Sequence, residues 1–244
     1  MNKVYACSDI HGHYSKLEKV LDMLDDTDKL YIVGDIVDKG PDPIKCIQKV
    51  MEDKRCELLI GNHDLMFLCY ELYRVNKAYG NTLDRMSLEV DYIKNNAGWL
   101  TDNLFAQLSH EEQREIVEYL KSCYIQKVIE VDGKRFVLVH AVSLNNGEED
   151  VPLKMNEKFK IYDWTDDYDW ARIKHQEILG KYLITGHDPV PYRSADQFIN
   201  NIGKTKWEIY RKGNFFDLDC GLAVFGESAN LGVICLNDFK EYYF

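Results

Sequence analysis

Six side chains of metal-ligating type stand at the ends of short apolar runs. Asp9 and His11 follow KVYACS, Asp35 follows KLYIVG, Asn62 follows CELLIG, His140 follows RFVLV and His187 follows KYLITG. Carboxylate, imidazole and amide oxygens without a thiolate suit hard or borderline divalent cations. In an extended Asp9-Ile10-His11, residues two apart point the same way, so carboxylate and imidazole can share one ion. The two oxygens of Asp35 can reach two ions, with Gly34 permitting close approach. Asn62 can ligate without adding charge, and His63 beside it is available for acid–base work. Each signature alone has an ordinary structural explanation, since Asp-x-His and Asp-Gly turns are common. All of them in order, each at the end of an apolar run, point to one metal centre.

Such a centre needs elements that bring the run ends together. Runs of this length, rich in Val, Ile, Leu and Tyr, read as buried strands. Helical patterns follow the first three. Tyr14, Leu17, Val20, Leu21 and Leu24 keep helical spacing. Asp42 reads as an N-cap with Pro43 in the first turn and a stripe of Ile44, Ile47 and Val50. Leu65, Met66, Leu68, Cys69 and Leu72 continue from His63. Strand–helix alternation predicts an α/β fold with parallel strand pairing, whose functional groups gather at the carboxyl ends of the strands. Residues 75–122 read as a helical cover, with a capping box at Ser109–Glu112. Residues 144–169, acidic and aromatic, read as a lid or substrate loop, with a plain solvated loop as the alternative. Toward the C-terminus a hairpin is expected around Lys212-Gly213-Asn214, and a second strand pair from LAVFG and LGVICLND. Residues 1–244 read as a single domain.

The 244 residues are 45% hydrophobic and 29% charged, a composition that supports a substantial core. No run is long and apolar enough for a membrane span or signal segment, so a cytoplasmic protein without membrane attachment is expected. Seven scattered cysteines form no CxxC pair and read as buried free thiols. A net charge of −11 disfavours stable nucleic-acid binding. It is compatible with anionic phosphate substrates if several acids hold divalent cations. No motif specifies an oligomeric state.

Taken together, Asp9-Ile10-His11, Gly34-Asp35-Ile36-Val37-Asp38-Lys39-Gly40, Gly61-Asn62-His63-Asp64, His140 and Gly186-His187 make the sequence resemble a known family. It is similar to the phosphoprotein phosphatase branch of the calcineurin-like metallophosphoesterases, in length and spacing most like bacterial and phage members such as lambda phosphatase. Asn96-Ala97-Gly98-Trp99, Asp169-Trp170-Ala171-Arg172 and Leu218-Asp219-Cys220-Gly221 with Val224-Phe225 also have counterparts there, so nearly the whole chain is covered. The resemblance implies two packed mixed β-sheets flanked by helices. It implies that Asp9, His11 and Asp35 hold one cation, while Asp35 bridges to a second completed by Asn62, His140 and His187. Manganese is the first expectation, with iron or zinc as alternatives. His63 would protonate the leaving group with Asp38 orienting its ring, and Arg172, Asn62 and Lys39 would bind the phosphate. A hydroxide bridging the cations would attack phosphorus in line. The implied activity is phosphomonoester hydrolysis, with phosphoserine or phosphothreonine proteins or another small phosphoester as substrate. The alternative is hydrolysis of diadenosine tetraphosphate or another nucleotide polyphosphate. Two positions depart from the branch: Lys39 stands where Arg is usual, and Asp64 where protein phosphatases have Glu. The Asp form also occurs in diadenosine tetraphosphate hydrolases. A catalytically idle metal scaffold would be expected to carry damaged acid–base machinery, yet Asp38, His63 and all six ligand-type residues are present.

Overall fold

Every one of the five apolar runs forms a strand that stops just short of its ligand-type residue. The computed structural model describes residues 2–75, 90–141, 144–153, 180–190 and 207–244. Its strands are β1 (Val4–Cys7), β2 (Lys29–Val33), β3 (Cys56–Leu59), β4 (Tyr124–Val131), β5 (Lys134–Val139) and β6 (Val151–Pro152). They continue with β7 (Tyr182–Thr185), β8 (Tyr210–Lys212), β9 (Phe215–Asp217), β10 (Gly232–Cys235) and β11 (Glu241–Tyr243). The helices are α1 (Tyr14–Met23), α2 (Pro43–Glu52), α3 (Asn62–Val75), α4 (Trp99–Phe105), α5 (His110–Ser122) and the short α6 (Leu222–Phe225), with a π-helical turn at Val90–Asn95.

The strands hydrogen-bond in the order β11-β10-β1-β2-β3-β4-β5-β7-β9-β8, with β6 also on β4. Only the Leu59↔Tyr124 pair joins β3 to β4, so the ladder divides into two mixed halves. In the first, β1, β2 and β3 are parallel, with Cys7 opposite Ile32 and Val33 opposite Leu59. Asp9, Asp35 and Asn62 therefore leave the same edge. In the second, β5 and β7 are parallel with Leu138 opposite Ile184, which sends His140 and His187 out together. Ala6, Val33, Leu59 and Ile234 of the first half share a buried cluster with Phe136, Leu138, Ile184 and Phe216 of the second. The halves are thus two mixed sheets packed face to face. On the outer face of the first, Tyr5, Cys7, Leu30, Ile32 and Leu58 pack against α1, α2, α3 and α5 through Leu17, Ile47, Leu68 and Leu120. This is the α/β architecture of packed mixed sheets and flanking helices.

Several expectations meet the structure differently. Asp42 occupies the N-cap position of α2, but its side chain caps no backbone N–H. It pairs instead with Lys45 at 2.8 Å. The capping box at Ser109 is present in both directions. The hairpin around Gly213 forms as β8–β9. The second C-terminal strand pair does not: Leu222–Phe225 is one helical turn, bracketed by Gly221 at φ 92° and Gly226 at φ 54°. Those left-handed residues reverse the chain at each end, and Phe225 stacks on Trp207 with centroids 4.1 Å apart. β10 pairs instead with β1 and β11.

In the stretch read as helical cover, residues 76–89 lie outside the described residues, as do residues 154–169 of the expected lid. Residues 144–153 are described and are tied down. Gln126 accepts from Leu144 N and donates to Glu149 O, both at 2.8 Å. Lys181 donates to Gly147 O at 2.9 Å, and β6 joins the sheet. All seven cysteines are free thiols, six of them buried. No helix among the described residues is long and apolar enough to cross a membrane.

At α5, Ser109 Oγ accepts from Glu112 N at 3.3 Å while the Glu112 carboxylate accepts from Ser109 N at 2.8 Å. Ser109→Ala is expected to lower stability by about 1 kcal/mol. Urea unfolding would show this as an earlier midpoint with an unchanged slope; an unmoved midpoint would mean that the box contributes nothing to global stability.

Candidate metal centre

The turns that follow β1, β2 and β7 adopt a conformation that ordinary residues avoid. Asp9 (φ 54°), His11 (φ 45°), Asp35 (φ 55°), Asp38 (φ 68°), Lys39 (φ 64°) and His187 (φ 77°) all lie in the left-handed region. Such residues each cost free energy and persist only where surrounding contacts over-determine them. Here the two turns after β1 and β2 are laced together. Asp9 N donates to Gly34 O at 3.1 Å, His11 N to Asp35 O at 2.9 Å, and Gly40 N to His11 O at 2.8 Å.

Asp64, at the start of α3, holds the second turn from the other side. Its carboxylate accepts from Asp35 N (2.8 Å), Ile36 N (2.9 Å), Val37 N (3.3 Å) and Gly61 N (3.0 Å). Burial first, and the nearby Asp35 charge second, push this carboxyl up to about 6. Two glycines give the room the centre needs. A Cβ on Gly34 would strike the His140 ring, and one on Gly61 would strike the Asp35 carboxylate.

Within this frame the six predicted ligands converge. His11 Nδ1 donates to Val37 O at 3.0 Å and His140 Nδ1 to Val33 O at 2.8 Å, because a carbonyl oxygen can only accept. That fixes both tautomers and leaves each Nε2 with a lone pair. His11 Nε2 lies 3.7 Å from Asp9 Oδ1 and 3.5 Å from Asp35 Oδ2. His140 Nε2 lies 3.4 Å from Asp35 Oδ2 and 3.1 Å from Asn62 Oδ1. His187 Nδ1 stands 2.9 Å from the same Asn62 oxygen, and its backbone N donates to Asp9 Oδ2 at 3.0 Å. Ser8 Oγ donates to Asp9 Oδ2 as well. Asp9, His11, Asp35 and His140 are buried, while Asn62 and His187 are half-buried and form the open side.

Acceptor facing acceptor at these distances is unfavourable unless a proton or a cation intervenes. With protons alone, His140 is pushed up to about 10: burial opposes its charge, but the Asp35 and Asp9 carboxylates override it. Asp35, which burial would protonate, is held well below the usual carboxylate range by the charges of His140 and His63. A divalent cation satisfies the same lone pairs without protonating the ligands. A metal-ligating histidine ordinarily donates its other ring N–H to a carboxylate, a water or a backbone carbonyl, as His11 and His140 do to Val37 O and Val33 O. The donor set therefore fits one or more divalent cations.

Two trios bring potential ligand atoms within 4.8 Å of one another, Asp9–Asp35–His140 and His11–Asp35–His63. Both contain Asp35, in keeping with a bridging position. The first crosses the expected division between two ions, and the second includes His63, which was not expected to be a ligand. That residue is buried, with Nδ1 2.8 Å from Asp38 Oδ2 and its ring edge-on to His11. Its backbone N donates to Asp35 Oδ1 at 2.9 Å. Lys39 is exposed at the rim of the turn. Arg172 lies outside the described residues. Sequence reasoning singled out neither the Asp64 clamp nor the hydroxyls of Tyr92 and Thr101 on Asp38. For Asp64 the available signal was its place beside Asn62-His63; for Tyr92 and Thr101 there was none.

The family profile described as calcineurin-like phosphoesterase matches residues 2–211. The symmetrical bis(5'-nucleosyl)-tetraphosphatase of Erwinia tasmaniensis is 35% identical over 116 residues, covering 45% of this chain and 41% of that protein. The protein of the same name from Nitrosospira multiformis is 31% identical over 147 residues, covering 57% and 42%. The matched stretches thus span about two fifths of these relatives' lengths. Among solved structures, a metallophosphoesterase from Sphaerobacter thermophilus covers 100% of this chain and 86% of its own, with a TM-score of 0.50 at 21% identity. That likeness is one of fold.

Two outcomes follow from the geometry. Manganese added to metal-free protein is expected to raise the unfolding temperature and a chelator to reverse it, since a ligand bound only by the native state stabilises it; calorimetry showing no shift at saturating metal would sink the cation reading. Asp64→Asn puts an amide NH2 against two backbone N–H groups. It is expected to cost at least about 2 kcal/mol and to reduce metal content measured by elemental analysis. Unchanged stability and metal content would deny Asp64 its role.

Proposed function

The chain belongs to the calcineurin-like phosphoesterase family, and from that membership we propose that it hydrolyses a dinucleoside polyphosphate such as diadenosine tetraphosphate. The observation that carries this reading is the set of curated relatives, whose shared name is symmetrical bis(5'-nucleosyl)-tetraphosphatase. It supports the nucleotide alternative over the phosphoprotein substrate that the motifs first suggested. Asp64, rather than Glu, agrees with it.

In this reading Asp9, His11 and Asp35 would hold one divalent cation, and Asp35, Asn62, His140 and His187 a second. Manganese, iron or zinc suits these ligands. Cations at this place supply the Lewis acidity that activates water and offsets phosphate charge. The chain's own groups do the rest. Left-handed backbone at Asp9, His11, Asp35 and His187 pre-organises the donors, so that little reorganisation accompanies binding. The Asn62 amide and Arg172 guanidinium grip the phosphate oxygens, and Lys39 at the rim adds a point charge, not a bidentate fork. His63 holds a proton at Nε2 for the leaving oxygen. Asp38, buried against Nδ1, fixes the ring.

One observation favours a second reading. A buried Asp38–His63 pair matters most when the leaving group is a basic alkoxide, as in a serine or threonine phosphomonoester. A nucleoside diphosphate leaves as a weakly basic phosphate and needs the proton less.

The readings separate in one assay of metal-reconstituted protein on equal concentrations of diadenosine tetraphosphate and a phosphoserine peptide. The nucleotide is expected to be turned over at least about tenfold faster in kcat/KM, a difference of about 1.4 kcal/mol in transition-state binding. Adenosine diphosphate is the expected sole product, since symmetrical cleavage of a tetraphosphate leaves two diphosphates. A preference for the peptide would reverse the assignment. His63→Ala is expected to slow alkyl phosphates by about 100-fold or more and p-nitrophenyl phosphate far less. Equal losses on both would remove His63 as the acid.

A further inference from the structure

The Asn96-Ala97-Gly98-Trp99 motif contributes no ligand to the centre, yet it shapes a tight turn between two elements that both reach Asp38. Ala97 sits at φ 61°, and Gly98 N donates to Tyr92 O at 3.1 Å. A Cβ on Gly98 would collide with the Tyr92 ring. The turn therefore presses the π-helical segment Val90–Asn95 against the first turn of α4. The Tyr92 ring is wedged there beside Tyr70 and Phe67, with centroids 5.4 and 6.3 Å away.

The result is two hydroxyls on one carboxylate oxygen. Thr101 Oγ1 donates to Asp38 Oδ1 at 2.5 Å and Tyr92 Oη donates to the same atom at 2.9 Å. Asp38 N donates back to Thr101 Oγ1 at 3.2 Å, so the single hydroxyl proton of Thr101 points at the carboxylate. All three residues are buried, Asp38 and Thr101 completely. Burial, and then the Asp38 charge, push the Tyr92 phenol well above its ordinary range, which keeps it a donor. With Oδ1 occupied twice, Oδ2 is left for the His63 Nδ1–H.

We propose that Tyr92 and Thr101 are positioning residues for proton delivery: together they hold the Asp38 carboxylate so that His63 keeps its Nδ1–H on Asp38 and turns its Nε2–H to the leaving group. The inference rests on the assignment of His63 as the acid. Without the two hydroxyls, the carboxylate can rotate about its Cα–Cβ and Cβ–Cγ bonds, and the imidazole loses its fixed orientation. Neither hydroxyl hydrogen-bonds a proposed cation ligand, and Thr101 Oγ1 also accepts from Asp38 N, so metal content is the control for Thr101.

The test uses the metal-loaded enzyme on a series of aryl and alkyl phosphates of rising leaving-group basicity, with Tyr92→Phe, Thr101→Val, Thr101→Ser, His63→Ala and the Tyr92→Phe/His63→Ala double variant. The readout is the ratio of kcat on an alkyl phosphate to kcat on p-nitrophenyl phosphate in one preparation, so any unfolded fraction cancels. Metal content is measured alongside. Tyr92→Phe and Thr101→Val are each expected to lower that ratio about tenfold with metal content unchanged. Thr101→Ser should keep the wild-type ratio, and Tyr92→Phe should cost nothing further in the His63→Ala background. If His63→Ala lowers the ratio and the hydroxyl variants do not, or if Tyr92→Phe costs the same with and without His63, the proposal falls alone. If His63→Ala leaves the ratio untouched, the acid assignment fails and takes the proposal with it.

Discussion

Acceptor atoms crowd one another at the centre of this protein, and the rest of the chain is arranged to hold them there. The Nε2 atoms of His11 and His140, turned inward by the Nδ1–H bonds to Val37 O and Val33 O, face the oxygens of Asp9, Asp35 and Asn62 at 3.1–3.7 Å. In an apolar interior that arrangement repels itself until positive charge enters. The strain extends into the backbone, where the ligand-bearing turns occupy left-handed conformations. It is opposed by hydrogen bonds of unusual density, above all the four that Asp64 collects. Binding of a divalent cation would therefore be coupled to formation of the turns.

The division of labour follows from the topology. The parallel strands β1, β2 and β3 deliver the oxygen-rich side of the centre, and β5 and β7 deliver two imidazoles from the facing sheet. Helix α3 begins at the centre itself, with Asn62 on its open side, His63 turned to Asp38 and Asp64 turned back into the backbone. Three consecutive residues therefore face the opening, the Asp38 carboxylate and the scaffold. A one-residue slip in the start of α3 would exchange these roles.

Much of this was legible in the sequence because the signal was local. Short apolar runs ending in Asp, Asn or His mark strands and their exits, and all five runs formed strands. The Ser109 capping box was equally local. The misread segment, Leu222–Gly226, has strand-like composition; only the left-handed glycines on either side reveal that it is a single helical turn. Asp42 shows the same limit, since an exposed Lys45 three residues on competes for its carboxylate. The Asp38 environment was invisible because Tyr92 and Thr101 lie more than fifty positions away and carry no ligand-type signature. Residues 144–153 read as part of a lid or substrate loop because what restrains them, Gln126 of β4 and Lys181 just before β7, is distant in sequence.

The thin seam between β3 and β4 has a consequence for how the molecule assembles. One backbone pair, Leu59↔Tyr124, joins the two halves of the ladder, and the centre draws Asp9, His11, Asp35 and Asn62 from one half and His140 and His187 from the other. A cation held by both would act as a clasp. It would close only after contacts of long sequence separation have formed, which are the slow ones in folding. Chain that has built each half but not docked them carries two half-sites, so cation binding would report on the last assembly step and not on secondary structure.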